Sequence, residues 1–139
     1  MLRLHGGKAS GRLIGGNLTL LATLMGTPCE LETDGAIVFT EDVREDIYRI
    51  DRMLTQLALG GKFERMAGFL FGHCTECNKN PSFFSLEDVL RDRFGNGPQP
   101  ALSGLAFGHI DQKLTIPLGV MATLDADAGT VEITESAVV

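Results

Sequence analysis

Apolar residues along this chain form either short continuous runs or runs with a helical spacing. The continuous runs 36–39 and 68–72 are typical of strands that are covered on both faces. Between these runs, apolar residues recur every three or four positions, which places them on one face of a helix: Val43, Ile47, Ile50, Leu54 and Leu57. The pattern therefore predicts a βαβ unit at the centre of the chain.

Capping signals predict where two of the helices begin. Asp42, with Glu45 three residues later, has the pattern of a capping box for the central helix, and Gly60-Gly61 predicts its end. A second capping-box pattern begins at Ser85 and predicts a helix that runs to about Phe94. Both helices are thus predicted to start from polar residues that satisfy free backbone N–H groups.

The segment before the central unit predicts a strand and a short helix. Residues 11–17 read as a short strand that a turn at Gly15-Gly16 interrupts, because two glycines tolerate positive φ and a close backbone approach. Asn17 is then predicted to be the N-cap of an apolar helix over 18–25.

The last third of the chain predicts further β structure. We expect strands at 101–107, 113–116, 120–124 and 130–134, with a turn at 125–129 that joins the last two into a hairpin. Residues 73–84 read as a loop. The 139 residues are therefore predicted to form one α/β domain over 1–139, with a βαβ core and a C-terminal β-hairpin.

Composition and charge exclude some classes of protein. The net charge of −6 argues against nucleic acid or an anionic membrane surface as a partner, since both attract clustered Lys and Arg. No apolar run approaches the roughly 18 residues of a membrane span, and the first residues have no signal-peptide pattern. Three cysteines do not make a disulfide framework, so we expect a reducing cytoplasm.

Glu41 and His109 are the candidate catalytic residues. Each follows a predicted strand, and the carboxyl ends of parallel strands meet at one edge of a sheet. A carboxylate that binds one ring nitrogen of a histidine fixes the tautomer and leaves the other nitrogen as a base. From local context alone, Glu41 also fits a helix-start carboxylate, and His109 fits a surface histidine.

The other polar motifs suggest less chemistry. Cys74 and Cys77 have one Cys-x-x-Cys spacing where a zinc site wants two, and the residues that follow, 78–81, read as loop, so we interpret them as two ordinary loop thiols and expect no metal or cofactor. A nucleophile is also lacking, because no serine lies in a Gly-x-Ser-x-Gly elbow. Ser85 is predicted to be a cap, and Ser103 lies in a predicted strand.

Several motifs together resemble a known family. They are Gly-Arg-Leu-Ile-Gly-Gly-Asn-Leu at 11–18, Phe-Thr-Glu-Asp-Val at 39–43, Tyr-Arg-Ile-Asp-Arg-Met-Leu at 48–54, Phe-Gly-His at 107–109 and Pro-Leu-Gly at 117–119. In this order they are similar to the C-terminal domain of the LD-carboxypeptidases, serine peptidases that include the microcin immunity peptidases. The resemblance implies a swivelling β/β/α-type fold.

The resemblance also implies roles for individual residues. Glu41 and His109 would be the Glu and His of a Ser–Glu–His triad, and Gly15, Gly16 and Asn17 would line the same cleft for substrate. The family's serine lies in an N-terminal nucleophile domain that this chain lacks, so we expect the isolated domain to be inactive alone and to need that domain as a partner.

The implied reaction is removal of the terminal D-alanine from muropeptide tetrapeptides in the cytoplasm, for peptidoglycan recycling. Family members are often dimers, which makes a homodimer a further expectation. One competing hypothesis is a stand-alone interaction or folding module without catalysis, which would use the cleft face for a partner. Another, ranked last, is a metal or redox protein built on Cys74 and Cys77, which would show bound zinc or a reversible disulfide.

Overall fold

A computed structural model describes residues 1–77 and 83–138. Seven strands and three helices follow one another along these residues: β1 (Leu2–His5), β2 (Lys8–Asn17), α1 (Leu18–Leu24), β3 (Ile37–Val43), α2 (Ile47–Leu59), β4 (Gly68–Thr75), α3 (Leu86–Phe94), β5 (Ala101–Ser103), β6 (Met121–Asp125) and β7 (Thr130–Ile133). No helix in these described ranges has both the length and the hydropathy that crossing a membrane requires.

The strands form one sheet in the order β1-β5-β4-β3-β2-β6-β7. Strands β2, β3, β4 and β5 pair in parallel, while β1, β6 and β7 pair antiparallel at the two sides. The predicted βαβ unit is β3–α2–β4, and the predicted C-terminal hairpin is β6–β7. The α/β fold expected from the sequence is therefore confirmed.

The two faces of the sheet have separate apolar cores, because alternate residues of a strand point to opposite faces. Val38 of β3 packs in a cluster that contains residues of all three helices, among them Leu18, Leu54 and Leu90. Its neighbour Phe39 packs in a second cluster, with the loop after β5 and with strands β2 and β6. One face is thus covered by the three helices. The other is covered by the loop after β5 and by the β6–β7 hairpin, which continues the sheet beyond β2.

Helix α2 has the predicted buried face but begins later than predicted. Ile47, Ile50, Leu54 and Leu57 are all buried, and Gly60 ends the helix as expected. The capping box at Asp42 and Glu45 was wrong, since β3 continues to Val43 and the N-cap is Asp46. The reason is tertiary, because the last residues of β3 pair with the extended end of β4.

The predicted break at Gly15-Gly16 was also wrong, because β2 runs through both glycines in register with β3. A Cβ atom on Gly15 would collide with the backbone carbonyl of Phe39. Gly15 therefore serves the close approach of two strands, and neither glycine forms a turn. Asn17 does cap α1 as predicted, since its side chain accepts a hydrogen bond from Leu20 N–H.

The boundaries of several other elements also differ from those that the sequence predicts. Strand β5 is limited to Ala101–Ser103, so the rest of the predicted strand 101–107 is loop, and the predicted strand 113–116 is loop as well. Strand β4 continues to Thr75, into the segment predicted as loop, and residues 78–82 lie outside the described residues. The capping box at Ser85 is present, with reciprocal bonds between Ser85 and Asp88. Strand β1 was missed, because it pairs with β5, about a hundred residues away.

Candidate active site

Glu41 and His109 are in direct contact. The Nδ1 atom of His109 lies 2.7 Å from Oε2 of Glu41. A carboxylate only accepts, so Nδ1 is the donor, and a neutral imidazole then has Nε2 free of a proton. The Glu41 side chain is only 9% exposed, whereas 54% of the His109 side chain is open to solvent. The pair has the form of a buried carboxylate that orients an accessible base.

The position of Glu41 follows from the pleat of β3. Thr40 and Asp42 point to the helix-covered face, so Glu41 between them points to the other face. Its side chain lies opposite an irregularity in the β3–β4 ladder, where Thr40 pairs with Phe71 but Asp42 pairs with Cys74. The extra residue in β4 is a β-bulge, a feature common beside active sites.

His109 is held by the loop that follows β5, and glycine is required at the position before it. Gly108 has φ of +108°, and a Cβ atom there would lie 2.8 Å from Oε2 of Glu41. A side chain at position 108 would therefore displace the carboxylate. Two positions earlier in the chain than His109, Phe107 packs edge to face on Phe39 with ring centroids 5.6 Å apart, which anchors the loop in the apolar core.

Asn17 connects Glu41 to helix α1. Its Nδ2 atom donates to Glu41 Oε1 and to Asp42 Oδ1, each at 3.2 Å, while its Oδ1 accepts from Leu20 N–H. The cap sets the orientation of the amide, because Oδ1 must face the helix and the NH₂ group must face the carboxylates. Asn17 thus binds the carboxylate oxygen of Glu41 that does not contact His109.

The second carboxylate oxygen of Asp42 holds the start of α1. Oδ2 accepts from the N–H and the hydroxyl of Thr19, both at 2.9 Å, and Oδ1 also accepts from Val43 N–H at 2.8 Å. Asp42 caps a helix after all, although it is a helix distant in sequence and not α2.

A cleft of about 300 Å³ opens in front of the pair. Gly16 lines it, and a Cβ on Gly16 would meet no atom within 4 Å, so this glycine leaves the cleft wide. Gly15 packs against β3 and is not among the lining residues. The cleft shares four apolar residues with a neighbouring pocket of about 480 Å³: Phe39, Phe107, Leu114 and Ile116.

Cys74 and Cys77 form a disulfide, with Cα atoms 5.5 Å apart. The interpretation of two ordinary loop thiols was therefore wrong. Cys74 belongs to β4 and the chain turns back after Thr75, which brings Cys77 beside it; the spacing alone did not reveal that turn. Cys29 is a free, exposed thiol.

The described residues contain no group of three or more His, Cys, Asp or Glu side chains that could hold a metal ion. The two serines considered from the sequence are placed elsewhere. Ser85 is bonded to Asp88 as a cap, and Ser103 is buried in β5. The site therefore offers an oriented imidazole, and neither of these serines serves it as a nucleophile.

Sequence reasoning missed three supporting residues of this site. Asp42 was assigned to the wrong helix, and Gly108 was named only within the Phe-Gly-His motif. Thr75, whose hydroxyl donates to the carbonyl oxygen of His109 at 2.8 Å, was placed in a loop. Glycine directly before a candidate catalytic histidine was the signal that could have identified Gly108.

The fold and the site define an α/β domain that presents a carboxylate–imidazole pair at the open face of its sheet. Comparison with protein families gives this class a name, since the model of the LD-carboxypeptidase C-terminal domain matches residues 10–124. The chain belongs to this family.

Curated relatives agree. A probable murein peptide carboxypeptidase of Bacillus subtilis is 43% identical over 122 residues, which are 86% of this chain and 38% of the relative. A murein tetrapeptide carboxypeptidase of Pseudomonas aeruginosa is 33% identical over 124 residues, which are 88% of this chain and 40% of the relative. The chain thus spans about two fifths of the length of these relatives.

Solved structures have the same fold. Muramoyltetrapeptide carboxypeptidase from Oxalobacter formigenes matches with a TM-score of 0.83 and 33% identity, over 96% of this chain and 47% of that one. The wild-type apo form of the microcin C7 self-immunity protein MccF matches with a TM-score of 0.88 and 30% identity, over 99% of this chain and 41% of that one.

Proposed function

We propose that this chain is the C-terminal catalytic domain of a serine-type LD-carboxypeptidase. It would supply Glu41 and His109 to a Ser–Glu–His triad that removes the terminal D-alanine from muropeptide tetrapeptides. The observation that carries the proposal is the 2.7 Å contact between His109 Nδ1 and Glu41 Oε2 beside an open cleft. The names of the murein peptide and tetrapeptide relatives support this substrate class.

The proposed mechanism assigns one role to each partner of the pair. Glu41 accepts the Nδ1 proton of His109 in a hydrogen bond and stabilises the imidazolium when it forms. Nε2 removes the proton from the serine hydroxyl as its oxygen attacks the carbonyl of the scissile bond. The same proton is then given to the amine of the leaving D-alanine, and water releases the acyl group by a second, equivalent cycle.

Residues at the end of β2 would shape the part of the cleft that binds the substrate. Gly16 lines the cleft beside the pair, which leaves room for a peptide backbone. Gly15 allows β2 to approach β3 closely, and Asn17 supports Glu41 from behind. In this proposal Gly15 and Asn17 contribute to binding by placing the cleft wall.

The serine would come from polypeptide outside these 139 residues. The relatives are more than twice as long as the segment that this chain matches, and the remaining length provides for a nucleophile domain. We propose that residues 1–139 are a single domain that docks on it, that the domain alone is inactive because a triad acts as a unit, and that the enzyme acts in the cytoplasm.

A chimera tests the proposal. The chain would be joined to the remaining part of the Bacillus subtilis relative, in place of that protein's matching region, and D-alanine release from a tetrapeptide would be measured. We expect release by the chimera, none by the 139-residue chain alone, and a fall of about 10⁴-fold or more in kcat for chimeric His109→Ala.

Two outcomes would contradict the proposal. Full activity of chimeric His109→Ala would show that His109 takes no part in the reaction. A correctly folded chimera that never releases D-alanine would favour the stand-alone interaction module instead. A chimera with His73→Ala is the matched control, because that histidine is exposed on β4 and has no role in the proposed triad.

A further inference from the structure

The loop that carries His109 is attached to the end of β4 by three hydrogen bonds at alternate strand residues. Gly104 N–H donates to Phe71 O at 2.9 Å, and His73 N–H donates to Phe107 O at 3.0 Å. The third bond runs from the hydroxyl of Thr75 to the carbonyl oxygen of His109, at 2.8 Å. This bond is the nearest of the three to the imidazole, and it alone depends on a side chain.

Thr75 is itself held from two sides. Its carbonyl oxygen accepts a hydrogen bond from Arg44 N–H at 2.8 Å, at the end of β3. The disulfide between Cys74 and Cys77 then closes a two-residue loop that contains Thr75 and Glu76. Glu76 has φ of +58°, a left-handed conformation that residues other than glycine, asparagine and aspartate rarely adopt. The disulfide closes this turn covalently, and the Arg44 guanidinium also binds the Glu76 carboxylate, with Nε 3.2 Å from Oε2.

We propose that Thr75 is a positioning residue for His109 and that the Cys74–Cys77 disulfide keeps Thr75 in place, so that reduction of the disulfide loosens the Glu41–His109 pair. The effect of the disulfide on catalysis rests on the proposed function, whereas its effect on the position of His109 does not. Cys74 is partly exposed while Cys77 is buried, so a small or protein dithiol reaches the bond from the side of Cys74.

The redox step is ordinary thiol–disulfide exchange. One thiolate of a dithiol reductant attacks a cysteine sulfur, the Cys74–Cys77 bond breaks, and a mixed disulfide forms. The second thiol of the reductant resolves it, so that two electrons and two protons pass to the cysteines and the reductant leaves as its own disulfide. Both cysteines become thiols, and the backbone at Glu76 is free to leave its left-handed conformation.

The tautomer of His109 is the readout, because it reports the Glu41 bond without any substrate. Long-range ¹⁵N–¹H NMR on the 139-residue chain distinguishes Nδ1–H from Nε2–H, and only three histidines have to be assigned. We expect His109 in the Nδ1–H form in the oxidised protein. Reduction with dithiothreitol, or Thr75→Val, should shift the tautomer ratio by about two- to fivefold, the scale of one hydrogen bond.

Matched variants separate positioning from a general loss of structure. Thr75→Ser keeps the hydroxyl and should retain the oxidised spectrum, while Glu41→Gln gives the largest shift. His5, at the other side of the sheet and in contact with Gly95 O, should not change in any of them. Reduction alters no residue, so it answers the question even if Thr75→Val fails to fold.

Two results would overturn the proposal. One is an unchanged His109 signal in the reduced protein. The other is alkylation of all three cysteines without reductant in the air-oxidised protein, where the disulfide predicts that Cys29 alone reacts, as seen by mass spectrometry. An inactive chimera with a redox-responsive His109 would reject the carboxypeptidase function and leave this proposal standing.

Discussion

One face of the central sheet is covered by three helices, and the other is covered by a loop and a hairpin. The helix side buries a continuous cluster from β1 to α3. The loop side has a smaller apolar cluster, and its surface opens into the cleft beside Glu41 and His109. Stability and chemistry are thus divided between the two sides of the same strands.

Two adjacent residues of β3 represent this division. Asp42 points to the helix side, where it is 2% exposed and its carboxylate accepts hydrogen bonds from Asn17 and Thr19 at the start of α1 and from Val43 N–H. Glu41 points to the loop side and meets an imidazole. Two carboxylates of similar burial therefore have different tasks, because the pleat of the strand separates them.

The largest expected effect is a loss of activity on the loop side. Glu41→Gln in the chimera should lower kcat by about 10⁴-fold, because an amide does not stabilise the imidazolium and permits the wrong tautomer. Steady-state kinetics measures this effect. If the variant kept full activity, Glu41 would have no part in the reaction, and the comparison with Asp42 would fail.

The second effect is a loss of stability on the helix side. Leu54→Ala removes a fully buried side chain from the helix-side cluster, and it should cost about 2–5 kcal/mol of unfolding free energy. Urea unfolding of the 139-residue chain measures it. The control is Leu59→Ala, at the exposed end of the same helix, where a change below about 0.5 kcal/mol is expected.

Asp42→Asn should give a smaller loss of stability, about 1–3 kcal/mol. An asparagine places an NH₂ donor against the Thr19 N–H or the Asn17 amide, both of which need an acceptor. Unfolding in urea, followed by far-UV circular dichroism, reports the loss. A stability equal to that of the unsubstituted chain would show that Asp42 does not hold α1.

The smallest effect concerns the cap of α3, far from the site. Ser85→Ala should cost about 0.5–2 kcal/mol, the usual value for an N-cap. The Ser85 hydroxyl and N–H hold the pKa of the Asp88 carboxyl below its ordinary value of 3.8. A lowered pKa stabilises the fold at neutral pH, and this contribution is lost as the pH falls below that value.

Thermal unfolding of the wild type and of Ser85→Ala at neutral pH and at about pH 3 tests the sign, since free aspartate titrates near there. The difference between the two proteins should be larger at neutral pH. A difference that grows toward acid pH would contradict the assigned cap.

Local sequence patterns predicted the structural features that depend on residues close to one another along the chain. The buried face of α2 follows from the spacing of Ile47, Ile50 and Leu54. The caps at Asn17 and Ser85 follow from residues three positions away. The βαβ unit and the terminal hairpin were predictable for the same reason, because each joins segments that are close in sequence.

Features that depend on distant partners were predicted less well. The end of β3 was placed too early, since its last residues are extended only because β4 pairs with them. The strand through Gly15 and Gly16 was mistaken for a turn, although Gly15 is needed for the close approach of the β3 backbone and Gly16 faces the open cleft. The disulfide was missed because it needs the turn that follows Thr75.

The sequence by itself therefore determined the α/β class, the helix faces and the identity of two candidate residues. Only the tertiary structure decided how Glu41 meets His109, because the pleat of β3 sets the side on which the carboxylate lies and the bonds to β4 hold the loop that carries the imidazole. Those bonds join residues more than thirty positions apart along the chain, and no local pattern encodes them.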